Sequence, residues 1–135
     1  MVLCLPDGGT ATDPDPGETA KRDVELATAW DGTPAAVVGV GDGGWKAVEL
    51  AAANGGLVER LALVATPPLD GAEPRMVSAK TLLLYGSRDG GQKRATWWKD
   101  RLGGRIEMVP GAGVDILERV WPRVLSHVAP GSLRK

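Results

Sequence analysis

The chain has 135 residues, 43% of them hydrophobic, which is enough to build the core of one globular domain spanning residues 1–135. Its 16 Lys and Arg residues balance 17 Asp and Glu residues, so charge argues against a nucleic-acid or anionic-membrane partner. No apolar run approaches the roughly 20 residues that span a bilayer, and the N-terminal run is not typical of a signal peptide.

The cysteine content indicates the compartment. Cys4 is the single cysteine and lies inside the first apolar run, so no intrachain disulfide can form. We expect a buried structural thiol and a reducing, cytoplasmic setting.

Apolar runs and helical periodicity alternate along the chain. The periodicity predicts strands and helices in turn: a strand at 2–5, a helix at 18–30, a strand at 35–40, a helix at 45–54, strands at 60–65 and 81–85, a helix at 92–102, a strand at 105–109 and a helix at 121–128. In the last helix Pro122 fits the first helical position. Strands that are apolar almost throughout predict an α/β fold with a parallel sheet of about five strands in sequential order.

The connections also predict how the two faces of this sheet are covered. Right-handed crossovers between neighbouring strands place the connecting helices on one face. Only the last helix would then cover the other face, which leaves apolar surface open. From this we expect a homodimer or a protein partner on that face.

The residues 37–44 have the frame of a nucleophile elbow, a sharp turn from a strand into a helix. In a G-x-S-x-G elbow the serine stands at the apex, with small residues two positions to either side. Here the flanking residues are Gly39 and Gly43, and the apex residue is Gly41. The turn is therefore present without a nucleophilic side chain.

Several segments in order resemble an α/β-hydrolase. Residues 36–53 resemble the elbow and its helix, and residues 61–67 the strand after it. Residues 82–89 resemble the strand and loop that carry the triad acid, and residues 109–115 the loop that carries the triad histidine. The strand at 2–5 and the loop after it resemble the oxyanion segment, whose equivalents here are Asp7, Gly8, Gly9 and, from the elbow, Asp42.

This resemblance implies a degenerate catalytic triad. Its triad positions are occupied by Gly41, Asp89 and Val114, so only the acid is kept. Serine-type catalysis needs an oxygen nucleophile and an imidazole that takes up its proton. The chain is therefore interpreted as a non-catalytic, minimal α/β-hydrolase-like protein, without the first strands or the cap of that family, that serves as a binding or protein-interaction module.

An alternative keeps the chain an enzyme. If the elbow is shifted by one residue, Asp42 becomes the apex nucleophile, flanked by Val40 and Gly44, although β-branched Val40 suits the turn poorly. Such a hydrolase, esterase-like or completed by a second subunit, would need an unorthodox site. The only histidine, His127, lies on the last helix and is not expected to act as the base.

Four acidic residues are expected at one edge of the sheet, because each follows a predicted strand: Asp7, Asp42, Asp89 and Asp115. They could meet around a cation, but solvated loop acids and helix caps are the favoured explanation. No metal site is assigned to them. The glycine-rich segments lack the spacing of a phosphate-binding loop, so no cofactor is expected, while a small-molecule ligand is compatible with the fold.

Trp97 and Trp98 are the clearest aromatic pair in the sequence. Adjacent residues on a helix point about 100° apart, so we expect one indole to pack on the sheet and the other to face outward. The outward indole is either part of the core or part of a contact surface.

Overall fold

The computed structural model describes residues 2–5, 14–27, 29–33, 35–69, 71–88, 90–112 and 117–132. Its elements, in chain order, are β1 (Val2–Leu5), α1 (Pro16–Ala20), β2 (Leu26–Ala27), β3 (Ala35–Val40), α2 (Gly43–Ala53), β4 (Val58–Val64), β5 (Lys80–Gly86), α3 (Gly91–Leu102), β6 (Arg105–Val109) and α4 (Leu117–Val128). The strands form one parallel sheet in the order β2-β1-β3-β4-β5-β6. The predicted α/β fold with a parallel sheet is confirmed, with six strands in place of about five.

The five predicted strands are all present. Those at 2–5, 35–40 and 105–109 have the predicted bounds, and β5 is longer than predicted by one residue at each end. The strand predicted at 60–65 begins earlier and ends one residue sooner, because Ala65 has a φ of +53°, which an extended strand does not accommodate.

The helix predicted at 18–30 is wrong beyond α1. After α1 the chain extends, and β2 pairs in parallel with β1 at the edge of the sheet. The amide of Val2 donates to the carbonyl of Glu25 at 2.8 Å, and Val24 and Leu26 pack against the core. The few apolar residues of this segment have helical spacing, but pairing with the sheet stabilises the segment more than a helix would.

The last helix starts four residues before its predicted beginning. Pro122 therefore lies inside α4 and not at its first position, so that prediction is wrong. An interior proline removes one backbone hydrogen bond. Around it, Trp121, Val124 and Leu125 are fully buried, and this apolar stripe holds the helix against the sheet. Among the described helices, none combines the length and apolar character that crossing a bilayer requires.

Helices cover both faces of the sheet. α2 and α3 pack on the face formed by side chains such as Leu3, Val37, Leu63 and Tyr85. α4 packs on the opposite face, and α1 lies beside α4, where the indole Nε1 of Trp121 donates to Thr19 Oγ1 at 2.8 Å. Of the connecting helices, α2 and α3 share one face and α1 lies on the other, because the chain after β1 pairs β2 at the outer edge of the sheet before it returns to β3.

The face under α4 is closed by the chain itself. Most of its central strand residues are buried, and Val40 is partly buried. The buried group includes Val2, Cys4, Ala36, Val38, Ala62, Val64, Leu82 and Leu84. The prediction that one helix leaves this face open is therefore wrong. This face therefore gives no support to the expected dimer. Cys4 is buried, as expected.

The strand order creates a topological switch point. From β1 the chain crosses to β2 on one side, and from β3 it crosses to β4 on the other. Neighbouring strands whose connections diverge leave a crevice at their carboxyl ends, which is where open α/β sheets bind ligands. The turn that follows β3 lies at the carboxyl edge of the sheet, where such a site is expected.

His127 lies at the opposite, amino edge of the central strands. Its Nε2 is 3.1 Å from the carbonyl oxygen of Leu61 and 3.0 Å from that of Lys80, and its own carbonyl accepts a hydrogen bond from Arg60 Nη1. Burial, together with the charges of Arg60 and Arg123, lowers the pKa of the imidazole, although the two carbonyls oppose the shift. His127 is a structural residue far from the switch point.

Because the pKa of His127 is lowered in the folded protein, the unfolded chain takes up this proton more readily. The free energy of unfolding should be greatest above the ordinary pKa of 6.5 and should decrease as the pH falls below it. Urea unfolding between about pH 7.5 and about pH 5.5 measures this loss. In His127→Gln, which keeps an amide donor but does not titrate, the decrease should be smaller; an equal decrease in both proteins would contradict the assignment.

Candidate functional site

The turn between β3 and α2 has the geometry of an elbow, with Gly41 at its apex. Gly41 has a φ of +54° and is buried. Its amide donates to the carbonyl of Val64 at 2.9 Å, and its carbonyl accepts from the amide of Gly44 at 3.0 Å. The left-handed conformation at a single residue turns the strand directly into the helix, and only glycine adopts it at no steric cost.

Asp42 does not occupy the apex. Its φ and ψ of −62° and −25° are helical, it is the N-cap residue of α2, and its side chain makes no capping hydrogen bond. The side chain is exposed. Shifting the elbow by one residue therefore puts a helical residue where the sharp turn needs a left-handed one.

Two further glycines allow β3 and α2 to approach closely. A Cβ atom on Gly39 would overlap the Cα atom of Gly44 and would lie 2.8 Å from the Cβ of Ala47. A Cβ atom on Gly44 would overlap the hydroxyl and methyl groups of Thr66. Gly39, a flanking position of the elbow pattern, and Gly44, the residue after the second flanking position, are therefore required by packing, whatever chemistry takes place there.

Thr66 is a residue of this region that the sequence did not indicate. It follows β4, is fully buried, and its carbonyl accepts hydrogen bonds from Tyr85 Oη at 2.6 Å and Trp98 Nε1 at 2.9 Å. Its Oγ1 is buried with no hydrogen-bond partner among the described residues. Burial raises the pKa of Tyr85, so its hydroxyl remains a donor. A Thr-Pro-Pro segment in a loop carries no signal for such a role.

The loops after β5 and β6 are tied together at the same edge of the sheet. The amide of Ser87 donates to the carbonyl of Val109 at 3.1 Å, and the amide of Arg88 donates to that of Ala112 at 3.0 Å. Ser87 Oγ accepts a hydrogen bond from the amide of Gly111 at 2.8 Å. By the resemblance, these are the loops of the triad acid and the triad histidine, so the structure brings the two segments side by side. Sequence reasoning did not single out Ser87.

Several of the predicted site residues lie outside the described residues: Asp7, Gly8, Gly9, Asp89, Val114 and Asp115. Of the triad positions, only Gly41 is therefore described, and of the four edge carboxylates, only Asp42. The described residues contain no cluster of three or more His, Cys, Asp or Glu side chains suited to a metal ion.

Three tryptophans of α2 and α3 meet in the helix layer that covers one face of the sheet. The ring centroids of Trp45 and Trp98 are 4.8 Å apart, and those of Trp97 and Trp98 are 5.0 Å apart. Trp98 is fully buried while Trp97 is only partly buried, as the helical geometry predicts. The guanidinium of Arg101 lies 3.8 Å from the ring centre of Trp97 and pairs with Glu73 at 3.0 Å.

The loop between β4 and β5 is fastened over this aromatic group. Trp45 Nε1 donates to the carbonyl of Pro67 at 2.8 Å, and Ser78 Oγ donates to that of Gly55 at 3.1 Å. The loop thus forms part of the α2 and α3 layer. It leaves Leu69 and Met76 as the large hydrophobic residues most exposed among those described.

Two clefts in the described structure lie at the amino ends of the strands, opposite the elbow. One, of about 370 Å³, includes Ala36 and Arg60 in its lining, and the other, of about 590 Å³, includes Val2 and Glu25. Val128 and Pro130 contribute to both. Neither cleft contains a residue of the predicted site.

Comparison with known proteins identifies relatives by structure alone. No protein-family model matches the sequence, and neither does any curated protein sequence. Among solved structures, the chain is similar to a dienelactone hydrolase from Anabaena variabilis ATCC 29413, with a TM-score of 0.56 and 20% identity over 73% of this chain and 50% of that one. It is also similar to a predicted CIB-like hydrolase from Thermoplasma acidophilum, with a TM-score of 0.55 and 19% identity over 68% of this chain and 48% of that one. The chain spans about half the length of both.

The packing of β3 against α2 predicts the effect of enlarging Gly39. Gly39→Ala should lower the free energy of unfolding by about 1–3 kcal/mol, since the new methyl group meets backbone that cannot move aside. Urea unfolding measures the change. Gly56→Ala is the matched control, because a Cβ atom there has no neighbour within 4 Å. Equal effects of the two substitutions would contradict the close approach.

The two hydrogen bonds to the carbonyl of Thr66 predict that removing the Tyr85 hydroxyl lowers the free energy of unfolding by less than the Gly39 substitution does. Tyr85→Phe removes one of its two donors but leaves Trp98, so the carbonyl is not left unsatisfied. We expect a loss of about 0.5–1.5 kcal/mol in unfolding free energy, measured by urea unfolding. A loss well above this range would mean that the hydroxyl has another role.

Proposed function

We propose that this chain, whose fold is α/β-hydrolase-like, has no hydrolytic activity and acts as a binding or protein-interaction module. The observation that carries the proposal is the conformation of Gly41: the apex of the elbow has a φ of +54° and no side chain. A nucleophile elbow presents its reacting atom at this residue. Without it, no covalent acyl-enzyme can form at the apex.

The absence of a suitable base supports the same conclusion. Val114 occupies the position that resembles the triad histidine, and valine cannot accept a proton. The chain's only imidazole, that of His127, is held by two backbone carbonyls at the amino edge of the sheet. In serine hydrolases, loss of the nucleophile or the base alone reduces turnover by about a millionfold.

The features that remain suit binding. The elbow lies beside the switch-point crevice between β1 and β3, where parallel sheets place their ligands. The loops after β5 and β6 are held together at the same edge by three hydrogen bonds. A site at this edge of the sheet would bind a small molecule or a segment of a protein without acting on it, since fold alone does not confer activity.

The enzymatic alternative depends on Asp42, alone or with residues from a second subunit. The carboxylate is exposed and therefore accessible. Its helical backbone and its position one residue beyond the apex argue against a role as nucleophile. An aspartyl ester would also require a base to activate water for its release.

An esterase assay with the purified chain tests the proposal. With a short-chain nitrophenyl ester as the probe, we expect no turnover above the background given by a protein without an active site. Asp42→Ala and Glu49→Ala, which change two exposed acids at the start and in the middle of the same helix, should leave that background unchanged. Turnover that is lost in Asp42→Ala and kept in Glu49→Ala would overturn the proposal.

A second readout addresses covalent chemistry directly. After incubation with an alkyl halide or an epoxide, the intact mass of the chain should show no adduct that depends on Asp42. An adduct present in the wild type and absent in Asp42→Ala would identify a nucleophilic aspartate and establish the alternative.

A further inference from the structure

The strand β6 lies at one edge of the sheet that the described strands form. It pairs with β5 on one side, and no described strand pairs with its other side. The strand at the opposite edge, β2, has only two residues, so it offers few backbone groups to a partner strand. β6 has five residues, contains no proline and pairs with β5 without a bulge. Natural proteins protect edges with very short strands, prolines, bulges or charged side chains. Of these, β6 has only the charges of Arg105 and Glu107, so its backbone remains available to a partner strand that complements those charges.

The backbone groups that face outward belong to Ile106 and Met108. The carbonyl of Val109 accepts a hydrogen bond from the amide of Ser87 beyond the end of β5, so Val109 points toward β5. Backbone direction alternates along a strand, and therefore Arg105 and Glu107 also point toward β5 while Ile106 and Met108 point away. No described residue bonds to the outward amides and carbonyls of this pair.

The side chains of β6 are separated by face. Ile106 and Met108 pack with the α3 layer, and Val109 packs with the α4 layer. Arg105 and Glu107 also point to the α4 side, where Glu107 Oε1 accepts from Arg123 Nε at 2.8 Å and lies 3.5 Å from Arg105 Nη2. These contacts use Oε1, which leaves Oε2 of Glu107 to accept from a further donor. The strand therefore carries one cation and one anion two residues apart, and Arg123 of α4 lies against the anion.

We propose that β6 pairs with β6 of a second copy of this chain, in antiparallel orientation, to form a homodimer with one continuous sheet. A two-fold axis through Ile106 places Arg105 opposite Glu107 of the partner subunit and Glu107 opposite Arg105 of the partner subunit. The two Ile106 residues exchange both backbone hydrogen bonds across the axis. Charge complementarity of the edge with itself selects a second copy over an unrelated partner.

Other registers of the same pairing are less favourable. An axis through Glu107 would place the two Glu107 carboxylates directly opposite each other, and like charges in that position destabilise a sheet. An axis through Met108 would place Pro110, which has no amide hydrogen, opposite Ile106. The Ile106 register forms two complementary charge pairs and opposes no like charges. Because it uses the same edge of both copies, the assembly closes at two chains.

A charge-exchange experiment with the full chain tests both the interface and its register. Light scattering over a dilution series should show the wild type as a dimer. In Arg105→Glu, each introduced carboxylate would face Glu107 of the partner subunit. In Glu107→Lys, each introduced ammonium group would face Arg105 of the partner subunit. Each variant alone should dimerise roughly ten- to hundredfold more weakly than the wild type.

A mixture of the two variants tests the register most directly. An equimolar mixture restores two opposite-charge pairs in one register, so it should form a heterodimer more tightly than either variant forms a homodimer. Thermal melts of each variant confirm that the fold is intact, and the heterodimer itself requires folded chains. The proposal is overturned if the wild type is monomeric at every concentration, if either variant dimerises as tightly as the wild type, or if the mixture stays monomeric. None of these outcomes depends on hydrolytic activity.

Discussion

The close approach of β3 to the start of α2 is the constraint on which this structure depends. Gly39 and Gly44 bring two backbones into contact, and Gly41 supplies the left-handed turn between them. This corner seats α2 on the sheet and sets Gly44 against Thr66 at the end of β4. Through the two hydrogen bonds to the carbonyl of Thr66, the same contact continues to β5 and α3. The turn at Gly41, which has no reactive side chain, thus connects the elements that pack on one face of the sheet.

The two faces of the sheet are covered in different ways. On one face, α2 and α3 bring three tryptophans together, and the loop between β4 and β5 is hydrogen-bonded to them. On the other, α4 alone covers the centre of the sheet with a stripe that includes Trp121 and Leu125. A single helix is sufficient there because the central strands contribute small residues such as Ala36 and Ala62, which let it approach closely. Since most of this face is buried within the chain, the dimer proposed above uses an edge of the sheet.

The sequence predicted those parts of the fold that depend on local pattern. Continuous apolar runs located five strands, and the glycine spacing located the elbow at its observed apex. It missed β2, because two residues have no periodicity and their pairing with β1 is a long-range gain. It missed the full length of α4, because a proline such as Pro122 is typical of the first position of a helix. In the structure, burial of the apolar stripe around Pro122 stabilises the helix by more than the one lost hydrogen bond destabilises it. Thr66 could not be foreseen, because its role arises where three elements meet.

The left-handed backbone at Gly41 also restricts the substitutions open to this chain. Any residue other than glycine would adopt that conformation with strain of about 1 kcal/mol or more. A serine introduced there alone would add strain and gain no catalysis while position 114 holds valine. A histidine introduced at 114 alone would find no nucleophile at the apex. On the proposed assignment of these two positions, serine-type activity would require changes at both, and selection for stability opposes the first of them.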